Sequence, residues 1–236
     1  MTLTAGMTNG YRSLPGTPMT FDWTAIVDAL PDLLQGLELT MLIALAGLAG
    51  GIVVGALTGA LLTYGGWLAQ APAQIYVALI RGTPITVQVM FIYFALPILL
   101  DVRISATNAG IITLIINSGA YNAEIVRGAL ESVPPGLKEA GLSMGLSFRK
   151  VLAYVIAPIA VRRALPAMGN QLVSVVKDTS IFLVIGVGEL TRRGQEIMSA
   201  NFRAVEIWTA VAVIYLIVIS ILAVSLRFVE RAARLP

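Results

Sequence analysis

Residues 39 to 62 read LTMLIALAGLAGGIVVGALTGALL, an uncharged apolar run. Roughly 20 such residues in a helix cross the hydrocarbon core of a bilayer, so this stretch can lie in lipid. Four more segments fit the same rule: about Ile75 to Leu99, interrupted near RGTP; Ala109 to Leu130; Ala164 to Ile185, with Lys177 and Asp178 inside it; and Ile207 to Phe228. Composition agrees, with 57% hydrophobic residues, 12% charged and a mean hydropathy of +0.85, well above the apolar share of soluble domains. The expected fold class is an all-α membrane protein of about five transmembrane helices. The first run carries Gly47, Gly50, Gly51, Gly55 and Gly59, which permit close helix packing.

The remaining segments set the expected domain plan. Residues 1–20 read as a flexible N-terminal tail, and no charged-then-apolar run with a small-residue cleavage site marks a removable signal peptide. Residues 21–36 mix Trp23, Ile26, Val27 and Leu30 with Asp22, Asp28 and Asp32, a pattern for a short interfacial helix; a frayed tail plus linker is the alternative. The transmembrane domain then covers 37–230, and 231–236 form a short tail. Lys and Arg in the connecting loops number nine on one side and five on the other. By the positive-inside rule that puts the N-terminus outside and the C-terminus in the cytoplasm. The chain has no Cys and no His, which removes disulfides, thiolate metal sites, the Ser-His-Asp triad and His-ligated haem. A net charge of +3 with dispersed Lys and Arg gives nucleic-acid binding little support.

Between the third and fourth runs lies VPPGLKEAGLSMGLSFRK, residues 133–150. Pro134 and Pro135 stop the preceding helix, and a short helix at about 136–148 can follow, beginning near Lys138. On such a helix Gly141 and Gly145 stand four apart and open a groove free of side chains, either for another chain or for packing within this one. The sequence from Glu139, Ala140 and Gly141 through Gly145 to Val155, Ile156, Ala157 and Pro158 resembles the EAA loop of binding-protein-dependent ABC import permeases. It departs from that motif at Gly141, Val155 and Ala157. LIRGTPITVQVMFIYFALP (79–97), NSGAYNAEIVRGALESVP (117–134) and LPAMGNQLVSVVKDTSIFLVIGVGELTRRGQEI (165–197) resemble the polar amino-acid branch of the same family. Together with the flanking blocks the likeness runs from about Phe21 to Arg231.

The resemblance implies the MetI-like fold of type I importers, with a cytoplasmic coupling helix docked on a separate ATP-binding subunit through Lys138, Glu139, Ala140, Gly141, Leu142 and Gly145. It implies an inner-membrane location, a second permease chain (a second copy favoured over a different chain), and an external amino-acid-binding protein. Its cargo would be a polar amino acid, glutamine first. No G-x4-G-K-[ST] loop occurs in the chain, so no cofactor is expected here, and ATP and Mg would sit on the partner. The chain would not itself be an enzyme.

Polar residues inside apolar spans are costly and face a bundle interior or a water-filled route. Asn117, Tyr121, Glu124 and Arg127 fall on one helical stripe; Asn117 and Tyr121 either line a substrate path or bond between helices, and Glu124 either faces that path or pairs with Arg127. Near the RGTP interruption, Arg81, Thr83 and Gln88 stand beside a break where free carbonyls can meet a zwitterion; snorkelling of Arg81 is the competing role. Lys177 and Asp178 form the leading pair for an amino acid's two charges, against a structural ion pair. IGVGELTRRGQEIMSANF (185–202) reads as an outer turn and amphipathic helix, either receiving a binding protein or simply solvated. An ion-coupled secondary transporter is the main alternative function, and a membrane-embedded enzyme a weaker one.

Overall fold

A computed structural model describes residues 21–233, which are helical throughout apart from short connections. The expected tail at 1–20 and the last three residues lie outside that range. α1 (Trp23–Tyr64) is one helix of 42 residues, about 63 Å long at 1.5 Å per residue, roughly twice a hydrocarbon core. Asp22 caps its start, accepting bonds from Thr24 N at 3.0 Å and Thr24 Oγ1 at 2.6 Å. Residues 21–36 are therefore not a separate interfacial helix. Their Ala29 and Leu33 are buried with Leu190, Ile207, Ala210 and Val211, and this packing carries the helix through Pro31.

α1 packs along α5 (Ala106–Glu131). A Cβ placed on Gly47 would lie 2.4 Å from Leu114 Cβ, on Gly51 1.8 Å from Ser118 Oγ, on Gly55 2.4 Å from Asn122 Cβ, and on Gly59 2.8 Å from Val126 Cβ. Both series advance by four in the same direction, so the two helices run parallel. Tyr64 and Glu131 consequently share one face of the bundle, and α5 begins on the opposite face. The chain between them must cross once.

That crossing is a broken one. α2 (Trp67–Arg81) ends at Gly82, and a helix resumes at Ile85 after a bend of 103°. It comprises α3 (Ile85–Met90), a π-helical turn at Phe91–Ala95 and α4 (Leu96–Leu100). The second span is thus two rods at an angle rather than an interrupted straight helix.

After α5 the chain forms α6 (Pro135–Ser143). This helix is shorter than the expected 136–148. It ends in a Schellman motif, with Leu146 N donating to Gly141 O at 3.2 Å and Gly145 N to Leu142 O at 2.9 Å. Gly145 occupies the left-handed position at φ 80° that closes such a motif. Gly141 is buried, and a Cβ there would stand 2.8 Å from Val151 Cγ2. The two glycines therefore do not form one open groove: one admits a neighbouring helix of this chain and the other turns the backbone.

α7 (Phe148–Val151) continues through a π turn at Leu152–Ile156 into α8 (Ala157–Asp178), and a 3-10 segment runs to Ile185. The fourth span is longer than expected, because the apolar stretch begins at Phe148. α9 (Leu190–Asn201) lies across the start of α1, and α10 (Ala204–Ala233) returns along α8, with Gly169 against Leu226. Among the described residues four helices are long and apolar enough to span, and the bent pair, taken as one span, makes a fifth.

The α9 end is pinned by a buried carboxylate. Glu189 accepts from Thr191 N at 2.9 Å, Arg192 N at 2.7 Å and Tyr215 Oη at 3.1 Å. Leu190 N donates to Thr40 Oγ1 at 3.1 Å, which fastens α9 to α1. Burial raises the Glu189 carboxyl above its ordinary value, outweighing the donors that lower it. A raised folded value contributes stability below the ordinary glutamate value of 4.5 and loses it as pH climbs through the folded one. Glu189→Gln should therefore gain thermal stability relative to the unsubstituted chain as pH rises from 4.5 to neutrality, measured by unfolding in detergent. A pH-independent difference would contradict the buried charge. In the seam, Gly55→Val drives a side chain into α5 backbone and should cost about 1–3 kcal/mol or more. Gly128→Ala, with nothing within 4 Å of its Cβ, should stabilise by up to about 1 kcal/mol in the same melts.

Candidate functional site: a polar cavity at a broken helix

The RGTP break leaves specific backbone groups without helical partners. Ile80 O would take its bond from residue 84, but Pro84 has no N–H. Gln88 fills the gap: its Nε2 donates to Ile80 O at 2.8 Å, Thr83 O at 3.0 Å and Thr83 Oγ1 at 3.0 Å. Thr83 Oγ1 in turn donates to Leu79 O at 2.9 Å. Gln88 Oε1 accepts from Asn117 Nδ2 at 3.0 Å, which ties the break to α5. The Leu79, Ile80 and Thr83 carbonyls are thus occupied, and Gln88, buried, holds the bend and is not among the residues lining the cavity beside it.

A cavity of about 590 Å³ opens beside this bend. Residues 81–85 supply one wall, Asn117 and Tyr121 of α5 a second, and Gln171, Ser174 and Asp178 of α8 a third. Asn117 lies near the middle of α5, which sets the cavity near the centre of the bundle. Of the expected residues, Arg81, Thr83, Asn117, Tyr121 and Asp178 meet here. Lys177 does not: it is exposed and lies outside this wall, because adjacent helical residues point about 100° apart. The cation facing the same cavity as Asp178 is Arg81. Gln171 and Ser174 were missed, although Gln171, Ser174 and Asp178 follow one another at steps of three and four, a helical polar stripe.

A second cavity, of about 520 Å³, lies toward the α6 face and is lined by Gln74, Ala78 and Arg81 of α2 and by Glu124, Arg127 and Glu131 of α5. Glu124 pairs with Arg127 at 2.7 Å, and Arg127 with Glu131 at 3.1 Å. Arg81 stands 3.7 Å from Glu124, and its guanidinium lies 5.3 Å from the centre of the Tyr121 ring. The polar stripe of α5 is therefore one continuous face serving both cavities.

On α6, Lys138, Glu139, Ala140 and Leu142 are exposed, as are Leu137 and, at 80%, Met144. Apolar side chains flank a carboxylate on a short helix outside the spans. Lys138 Nζ also sits 5.5 Å from the centre of the Phe148 ring, which stacks edge-on against Tyr64. Among the described residues no group of three Asp or Glu is placed to hold a metal ion.

Residues 25–235 match the family model described as binding-protein-dependent transport system inner membrane component. The glutamine transport system permease protein GlnP of Escherichia coli (strain K12) is 54% identical over 218 residues, covering 92% of this chain and all of that one. The arginine transport system permease protein ArtQ of Bacillus subtilis (strain 168) is 32% identical over 217 residues, covering 90% and 97%. Among solved structures, an amino acid ABC transporter crystallised with histidines aligns with a TM-score of 0.84 at 33% identity, over 91% of this chain and all of that one. An inward-facing methionine transporter, MetNI, shares the fold at a TM-score of 0.76 and 20% identity, over 86% and 97%. With these helices, this broken span and these relatives, the chain belongs to the family of binding-protein-dependent inner-membrane transport components and is a multi-pass ABC amino-acid permease of the type I importer fold.

Proposed function

We propose that this permease carries a polar amino acid, glutamine first, through the central cavity, driven by ATP hydrolysed on a partner subunit docked at α6. The observation that carries this is the pairing of opposite charges on one cavity, Arg81 on one wall and Asp178 on another. Arg81 has its ion pair with Glu124, and no salt bridge reaches Asp178 among the described residues. A zwitterion presents one carboxylate and one ammonium, so these two groups complement its backbone, while Asn117, Gln171 and Ser174 offer neutral partners suited to an amide side chain. The 54% identity to a glutamine permease supports that cargo over a cationic one.

The exposed Glu139 and Leu142 of α6, with Met144 just after it, suit a docking helix for an ATPase carrying ATP and Mg. That assignment puts the α6 face and the end of α10 in the cytoplasm and the α9 end outside, where a loaded binding protein delivers its cargo. A second copy of this chain completes the membrane unit. Co-reconstitution with the ATPase and binding protein tests the whole reading by uptake of labelled glutamine. Asp178→Asn should cut uptake about tenfold or more, the worth of a charge-assisted hydrogen bond, whereas Lys177→Met should change it little. Equal losses in the two would remove Asp178 from the path. Glu139→Ala should leave the assembled complex intact yet abolish stimulation of ATP hydrolysis by loaded binding protein. Uptake by this chain alone under an ion gradient would instead establish a secondary transporter.

A further inference from the structure

Arg81 is the single residue, among those described, that lines both cavities. The side chain crosses between the central cavity and the α6-side cavity, resting over the Tyr121 ring and reaching toward Glu124. Each tether comes from α5, and Arg81 itself comes from α2, so the side chain spans the space between two helices.

We propose that Arg81 is the gate between the two cavities, held shut by Tyr121 and Glu124 and opened by movement of the α2 hinge. The inference rests on the cavities being successive stations of the transport route, as proposed above. Three features support it. Arg81 is the last residue of α2 and adjoins the 103° bend, so any change in that angle carries the guanidinium with it. The 3.7 Å contact to Glu124 is long, while Glu124 is already bonded to Arg127 at 2.7 Å. Losing Arg81 therefore leaves Glu124 paired, and the gate opens without stranding a charge in a partly buried site. The third feature is chemical: an amino acid in the central cavity brings a carboxylate that competes with Glu124 for the same guanidinium. Engaging that carboxylate draws the guanidinium away from an already long contact to Glu124.

The chain has no cysteine, which makes a direct test simple. Two reporters are introduced singly into the full complex in vesicles with the α6 face outward: Ala78→Cys in the α6-side cavity and Ser174→Cys in the central one. Each is treated with a membrane-impermeant thiol reagent added to that face, without ATP or amino acid. With Glu124 intact, Ser174→Cys should label up to about fivefold more slowly than Ala78→Cys, the bias expected of a partly exposed ion pair. Adding Glu124→Gln should bring the Ser174→Cys rate up to that of Ala78→Cys. If the Glu124 variant fails to assemble, Tyr121→Leu removes the other tether and should produce the same acceleration. Ser174→Cys labelling at the Ala78→Cys rate with Glu124 present overturns the gate, as does slow labelling that survives loss of the tether. Labelling requires no cargo, and uptake is measured on the unsubstituted complex: absence of glutamine uptake there with the gated labelling pattern intact refutes the transport reading alone, and uptake there with free labelling of Ser174→Cys refutes the gate alone.

Discussion

Everything else in this bundle depends on how closely α1 approaches α5. Lipid tails are as apolar as leucine, so two helices in a bilayer gain little from hydrophobic burial and associate through surface fit. Gly47, Gly51, Gly55 and Gly59 remove the side chains from one stripe of α1, and Leu114, Ser118, Asn122 and Val126 of α5 settle into it. Ser118 Oγ donates to Leu114 O at 2.6 Å and lies 3.3 Å from Gly47 O, contacts available only when backbones nearly touch. A glycine costs about 1 kcal/mol in a helix relative to alanine, so four on one stripe mark a position where approach outweighs propensity.

The seam dictates the site by two routes. It fixes the rotation of α5: with Ser118 and Asn122 turned to α1, the preceding residues Asn117 and Tyr121 point about 100° round the axis, toward α2 and α8. It also fixes the direction of α5 as parallel to α1, which obliges the intervening 41 residues, 65–105, to recross the membrane. That crossing is where Pro84 deletes a donor and the span bends. A bare break in lipid would leave carbonyls unpaired at a cost of several kcal/mol each. Gln88 and Thr83 take up three of them, at Leu79, Ile80 and Thr83, from within the same segment, so the bend is a wired structure that can border a cavity.

Much of this was legible from the sequence because it follows from period and composition. The apolar runs located the spans, the glycines announced the α1 contact, and the i, i+4, i+7 spacing of Asn117, Tyr121 and Glu124 defined one face. The errors came from reading neighbours in sequence as neighbours in space. Lys177 and Asp178 adjoin along the chain but diverge around the helix, whereas Gln171, Ser174 and Asp178 adjoin around it. Gly141 and Gly145 share a four-residue spacing, but a left-handed residue cannot continue a right-handed helix, and the φ of 80° at Gly145 ends α6 first. The role of residues 23–36 was illegible locally, because their charges suggested an interface while the partners that bury Ala29 and Leu33 come from residues 190–211.

α6 and the central cavity are joined by one element. Gly141 abuts Val151, Lys138 lies over Phe148, and Arg163 donates to Ser132 O and, at 3.0 Å, to Ser132 Oγ. All three contacts connect α6 or its approach to the α7–α8 rod, whose far end bears Gln171, Ser174 and Asp178. Packed interiors transmit displacement because they deform little, so a shift of α6 is passed to Val151 through the Gly141 contact. The π turn at Leu152–Ile156 lies directly beyond that contact, and a locally widened helix is the softest point at which the rod can absorb or pass on the motion. Arg81 approaches from the other side, on α2, which is tied to α5 by Tyr76 Oη donating to Ile116 O at 2.6 Å. Asp178 and Arg81 thus ride on different helices, α8 and α2, and their separation across the cavity follows the packing of those two helices against α5.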